Sequence, residues 1–312
     1  MENNNAQQKT QKNQHLQNLS EDEARQHIES LRWPNGPVCP HCASISVYRM
    51  EGTAYRPGLL ACRDCKGRFT VTVGTVMEDS HLPLTIWIHA FHLMTSSKKG
   101  ISALQLQRNL GLGSYRTAWH LAHRIREAMR CEPVAGLLQG TVQCDETYVG
   151  GKPRKGTGPH KRGRGTKKTP VVALVESGGS VRSTPMDKVN SNTLRKVIQD
   201  NVHPSARIIT DDLSAYQRAA AGFAGHETVN HSTGEYVNKY GFTTNTAESY
   251  FALLKRGMYG TFHHVSKRHL SRYCDEFSFR WNARGMKDRQ RCDAAIRGSV
   301  GKKLPYKSQN SD

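Results

Sequence analysis

Three acidic residues stand far apart in this 312-residue chain. They are Asp145, Asp211 and Glu248, with 65 residues between the first pair and 36 between the second. Carboxylates brought from separate elements to one crevice hold divalent cations. Two such cations ~3.5–4 Å apart suit phosphodiester chemistry, because they sharpen a nucleophile and relieve charge on the leaving oxygen. Asp145 closes the run Val142-Gln-Cys, Asp211 closes the apolar run ARIIT, and Glu248 follows the loop 241–245 in the first turns of a helix. Each acid has neighbours or other duties to weigh. Glu146 can replace Asp145, and Asp212 can be the ligand with Asp211 as a cap. Glu248 also suits a helix N-terminus through the dipole. The meaning lies in the combination on a scaffold that gathers them.

A second chemistry-bearing set comes earlier. Cys39 and Cys42 lie in CPHC, Cys62 and Cys65 in CRDC, with nineteen residues between the pairs. Each CxxC lets two thiolates grip one ion from a tight knuckle. Two knuckles together give the tetrahedral four-thiolate site that Zn2+ accepts, with an iron–sulfur cluster as the other occupant. Short strands at 46–49, 59–61 and 68–73 complete a zinc ribbon, which has little core of its own, so the metal should be part of its folding energy. The remaining cysteines, Cys131, Cys144, Cys274 and Cys292, are scattered and read as reduced thiols.

Composition names the partner class. A formal net charge of +19 and a pI near 9.8 exceed what solubility asks for and point to a polyanion, nucleic acid first. No apolar run approaches the ~20 residues of a membrane span. Residues 1–20 are Asn/Gln-rich without the apolar centre of a signal peptide, so the expected place is the prokaryotic cytoplasm, on the nucleoid.

The elements that must position these groups fall into five stretches. A polar tail covers 1–19. A helix capped by Ser20 leads into the zinc ribbon over 20–80. Helical spacing over 84–96, 100–111 and 115–129, with a Gly-Leu-Gly turn between the last two, makes 81–132 a helix-turn-helix-like segment. Its second helix carries Arg116, His120, His123, Arg124 and Arg126, with Arg116 and Arg124 as DNA contacts. Strands at 142–145, 170–175, 181–186, 206–210 and 227–230, interleaved with helices at 190–202, 213–221, 246–257 and 266–284, give 133–284 the element order of an RNase H-like α/β domain. Residues 285–312 form a basic, loose tail. The stretch 152–168 carries Lys152, Arg154, Lys155, Lys161, Arg162 and Arg164 among glycines and prolines and no acid, a phosphate-seeking segment placed just after the first carboxylate.

The long motifs together resemble insertion-sequence transposases of the DDE type with an N-terminal zinc ribbon, the ISXO-like group. The matching pieces are CPHC…CRDC, GISALQLQRNLGLGSYRTAWHLAHRIREAM, DETYVGG, TDDLSAY, VNHSTGEYVNKYGFTTNTAESYFALLKRG and GTFHHVSKRHLSRYCDEFSFRWNAR, spanning roughly 31–284. The resemblance implies an RNase H-like core with Asp145 and Asp211 as the first two metal-holding residues. The third falls in NTAES, where Asn245 and Glu248 are both candidates and Glu248 is the better Mg2+ or Mn2+ ligand. It supports Lys255, two helical turns past Glu248, as a phosphate contact, with Arg256 beside it. The implied activity is metal-dependent cleavage and strand transfer of double-stranded DNA by a chain that oligomerises on its element ends. The rival readings are a zinc-ribbon DNA-binding regulator without catalysis and an RNase H-like nuclease without strand transfer.

Overall fold

The structure is a computed structural model, and it describes residues 18–130, 136–151, 166–229, 237 and 241–305. The chain divides into two compact units. One combines Met1–Met129 with Met286–Asp312, and the other is Arg130–Gly285.

In the first unit, helix α1 (Glu21–Arg32) starts at a capping box. Ser20 accepts from the Glu23 N–H, and the Glu23 carboxylate accepts from the Ser20 N–H at 2.8 Å. A three-stranded antiparallel sheet follows: β1 (Val47–Arg49), β2 (Leu60–Cys62) and β3 (Arg68–Phe69), in the order β1-β2-β3. Its few apolar contacts centre on Leu60 and Phe69, with Trp33 edge-on to Phe69. Helix α2 (Leu84–Ser96) buries Trp87, Ile88, Phe91 and Met94. Helix α3 (Ala103–Leu110) is capped by Ser102 and stopped by Gly111, whose φ of +62° is the left-handed C-terminal turn that glycine enters freely. Helix α4 (Tyr115–Met129) follows directly.

Two features depart from the sequence reading. Helix α4 buries most residues from Ala118 onward, including His120, His123 and Arg126, and its fully exposed residues, Tyr115 and Arg116, lie in the first turn. The C-terminal stretch is not a loose tail throughout its described part. Helix α9 (Asp288–Arg297) packs on α2 and α1, burying Cys292, Ala295 and Ile296, and His27 of α1 meets Asp293 at 2.9 Å. Beyond it, the Lys302 ammonium donates to the Ala128 carbonyl. Its basic surface hid a short apolar stripe, and that stripe supplies the driving force for docking.

The second unit is built on a five-stranded sheet of order β6-β5-β4-β7-β8. Its strands are β4 (Thr141–Val149), β5 (Thr169–Glu176), β6 (Val181–Pro185), β7 (Arg207–Asp211) and β8 (Gly225–Val229). The first three pair antiparallel, while β7 and β8 run parallel to β4. Counted within the unit, the order is 3-2-1-4-5 with the second strand reversed, the RNase H-like arrangement. Helices α5 (Ser191–Asn201) and α6 (Ser214–Ala219) cover one face around Cys144, Ile208 and Tyr216. Helices α7 (Asn245–Gly260) and α8 (Leu270–Asn282) cover the other around Ala173, Tyr250 and Phe277. Gly257 lets these two close up, since a Cβ there would lie 2.0 Å from the Phe277 ring. Among the described residues no helix is long and apolar enough to cross a membrane.

Candidate active site and metal centres

Strand alternation decides which way each acid faces. Along β4, Gln143, Asp145, Thr147 and Val149 share one face, and Val149 packs in the α7–α8 core. Val142 and Cys144 belong to the α5–α6 core, and Glu146 follows them in alternation. On β7, Ile208 lies with the α5–α6 core, so Ile209 and Asp211 face the α7 side. The parallel register pairs Thr141 with Arg207 and Gln143 with Ile209, then stops. Two residues further on, Asp145 and Asp211 stand at equivalent positions where the strands no longer bond.

Asp145 is therefore not the last residue of its strand, as the sequence suggested. Pairing with β5 carries β4 on to Val149, with Asp145 opposite Ala173. What ends near Asp145 is the pairing with β7, and that opening is the crevice.

Asp145, Glu146 and Asp211 each offer an oxygen within 4.8 Å of the others. Burial pushes the Asp145 carboxyl up to about 7, reinforced by the charges of Glu146, Asp211 and Glu248 and opposed by the Glu146 N–H, which donates to it at 2.7 Å. The all-oxygen character of such a set suits a hard divalent ion. Glu248, exposed on the first turn of α7, is close enough to raise Asp145 but stands outside that tight group. Asn245 is exposed at the first position of the same helix.

Glu146 is the member that sequence reasoning offered only as a replacement for Asp145. Alternation sets adjacent residues on opposite faces, so a sequence reading admits one or the other. The fold admits both, because the Tyr216 hydroxyl on α6 donates to Glu146 Oε2 at 2.9 Å from the far side. Tyr216 is fully buried, and burial drives its phenol well above the ordinary range.

The four ribbon cysteines form the second centre. Cys39 Sγ lies 3.6 Å from Cys65 Sγ, Cys42 Sγ lies 3.6 Å from Cys62 Sγ, and all four fall within 4.8 Å of one another. A tetrahedral ion with bonds of about 2.3 Å needs sulfurs about 3.8 Å apart, so the thiolates fit one. Each knuckle turns the same way: Ala43 after Cys42 and Lys66 after Cys65 both take φ +59°.

The ISXO2-like transposase domain matches residues 137–282, and the transposase zinc-ribbon domain matches residues 19–68. An uncharacterized protein in transposable element ISH50 of Halobacterium salinarum is 31% identical over 275 residues, 84% of this chain and 91% of that protein. The chain belongs to the ISXO2-like DDE transposases. Two solved structures align more loosely. The Mos1 strand transfer complex matches at 13% identity over 70% of this chain and 79% of its own, with a TM-score of 0.28. A pre-cleavage Mos1 transpososome matches at 14% over 65% and 75%, with a TM-score of 0.27. Likenesses that slight decide nothing, and the fold of the transposase rests on its strand order.

The transposase is thus an enzyme of DNA transposition with a divalent-metal carboxylate site and a four-cysteine metal site. Of the basic residues singled out from sequence, Lys255 and Arg256 are exposed on α7. Arg116 is exposed on the first turn of α4. Arg124 is half-buried: its guanidinium lies over the Trp87 ring at 5.4 Å and donates to the Glu78 carbonyl. Lys152, Arg154, Lys155, Lys161, Arg162 and Arg164 lie outside the described residues.

Proposed function

We propose that this transposase binds the double-stranded ends of its element and holds Mg2+ or Mn2+ with Asp145, Asp211 and Glu248, with Asn245 as a further contact. The observation that supports this reading is the register relation of Asp145 and Asp211, with Glu248 on α7 close enough for its charge to act on Asp145. Bound divalent ions supply a sharpened oxygen nucleophile and relief of charge on the leaving 3′ oxygen. The chain's own residues do the rest. The carboxylates, at the parting ends of the central strands β4 and β7, would hold the ions against which the scissile phosphate lies. Lys255, two turns past Glu248, meets a neighbouring phosphate, with Arg256 beside it. Glu146 stands by as a fourth carboxylate, held by Tyr216.

Zn2+ is the ion proposed for the four cysteines, with a structural role. Arg116 and the basic stretch 152–168 contact the DNA backbone, so binding weakens steeply with salt. Pairing two element ends requires more than one copy, and the proposed state on DNA is a homo-oligomer at the prokaryotic nucleoid. The test is a purified reaction: protein, labelled element-end duplex and Mg2+. Cleavage that frees a 3′-OH and joins it to a second duplex is expected. Full cleavage by Asp145→Ala would remove the site assignment.

A further inference from the structure

Helix α7 brings Asn245 and Glu248 to the crevice, and its local cap is partial: the Asn245 N–H donates to Thr243 Oγ1 at 3.1 Å. Its N-cap residue, Thr244, makes no side-chain capping bond. The first backbone N–H groups of a helix need an acceptor, and a buried one left without is costly. The Ala247 N–H, the one an N-cap side chain ordinarily serves, donates instead to Gln143 Oε1 at 3.1 Å. The same amide donates through Nε2 to Thr246 Oγ1 at 3.3 Å. The Ala247 N–H can only donate, so the amide atom it meets is the oxygen. Gln143 is 4% exposed and Ala247 fully buried, so water does not substitute.

Position gives this amide its meaning. Gln143 precedes Asp145 by two residues on the same face of β4. It is also the last β4 residue paired with β7, opposite Ile209, which precedes Asp211 by two. Its backbone therefore joins the two strands that carry the aspartates, and its side chain grips the helix that carries Asn245 and Glu248. A serine or asparagine within the loop would cap the helix equally well, but would leave its distance from β4 free. A cap reaching across 104 residues of sequence sets that distance.

We propose that Gln143 is a positioning residue of the transposition chemistry, clamping the first turn of α7 to β4 so that Asn245 and Glu248 stand in fixed relation to Asp145. It acts through those residues and does not itself touch DNA or metal. The proposal rests on the active-site reading above, and the experiment separates the two.

The variant is Gln143→Met, similar in length and without hydrogen bonds, assayed as the full chain with zinc retained. At saturating element-end DNA the cleavage rate constant is expected to fall at least tenfold. The Mg2+ concentration for half-maximal rate is expected to rise several-fold, excess Mg2+ or Mn2+ restoring part of the rate, while DNA affinity stays within twofold. Should Gln143→Met not fold, Thr246→Val carries the test by removing the Nε2 contact alone, with a smaller shift in the same two quantities. An unchanged rate and metal dependence overturns the clamp. So does a loss of rate that follows melting temperature with metal dependence unaltered. Asp145→Asn and Glu248→Gln run beside them. If both cleave normally, the site reading itself fails. If both are inactive while Gln143→Met matches wild type, only the clamp fails.

Discussion

Asp145 and Asp211 occupy equivalent positions on parallel neighbouring strands, each two residues past the last bonded pair, Gln143 and Ile209. The pairing of β4 with β7 stops where the carboxylates begin, and their oxygens come together with Glu146 within 4.8 Å. The cost is mutual repulsion in a half-buried crevice, which a divalent ion offsets. Asp145→Asn is therefore expected to abolish cleavage yet raise the melting temperature in buffer free of Mg2+ and Mn2+. Added Mg2+ should raise the melting temperature of wild type and leave the variant nearly unmoved. Thermal melts with and without Mg2+, beside a cleavage assay, check both.

The same crowding predicts a pH dependence. The Asp145 carboxyl titrates near 7 in the fold, well above an ordinary aspartate near 4. The folded state holds that proton more tightly than the unfolded chain does. Stability from this group is full below about pH 4 and is lost as pH rises through about 7. Melting temperature in Mg2+-free buffer should decline over that window in wild type, and less in Asp145→Asn. Mg2+ should flatten the decline, because binding displaces the proton.

Tyr216→Phe removes the hydroxyl that holds Glu146 and changes little else. Loss of one buried hydrogen bond to a carboxylate is expected to cost about 1–3 kcal/mol. The half-maximal Mg2+ concentration should rise modestly as Glu146 loses its orientation. A melt and a metal titration of cleavage decide this. An unchanged metal dependence would leave Glu146 outside the working site.

Helix α8 buries an ion pair, Arg280 Nη1 to Glu276 Oε1 at 2.6 Å, the two side chains 5% and 0% exposed. Glu276→Ala strands a guanidinium in the interior and is expected to cost about 3–5 kcal/mol. That corresponds to a fall in melting temperature on the order of 10 °C for a unit of this size. Replacing both residues with leucine and methionine should recover most of the loss, read by the same melt.

Cys62→Ser breaks the four-sulfur set, and the ribbon has only a small cluster around Leu60 and Phe69 to fall back on. Wild type is expected to release one zinc ion per chain on thiol modification, and the variant much less. Binding to element-end DNA should weaken, while the near-ultraviolet signal of the Arg130–Gly285 unit persists.

Much of this protein was legible in its residues. The two CxxC pairs specified a metal site because sulfur chemistry leaves few other uses for four cysteines at that spacing. Periodicity located the helices at 84–96 and 115–129 at their observed limits, and apolar runs located the central strands. Side-chain types and spacing also singled out Asp145 and Asp211 as candidates, since an acid beside a buried apolar run is a local feature. What the tertiary structure alone decided was pairing across distance. Local pattern could not show that Arg124 turns inward to Glu78, or that a basic C-terminal stretch docks as a helix on α2. Nor could it show that Glu146 joins the carboxylates, or that Gln143 caps a helix a hundred residues away. Each depends on which surfaces meet, and that is settled by burial and by the demand that every buried polar group find a partner, wherever along the chain it lies.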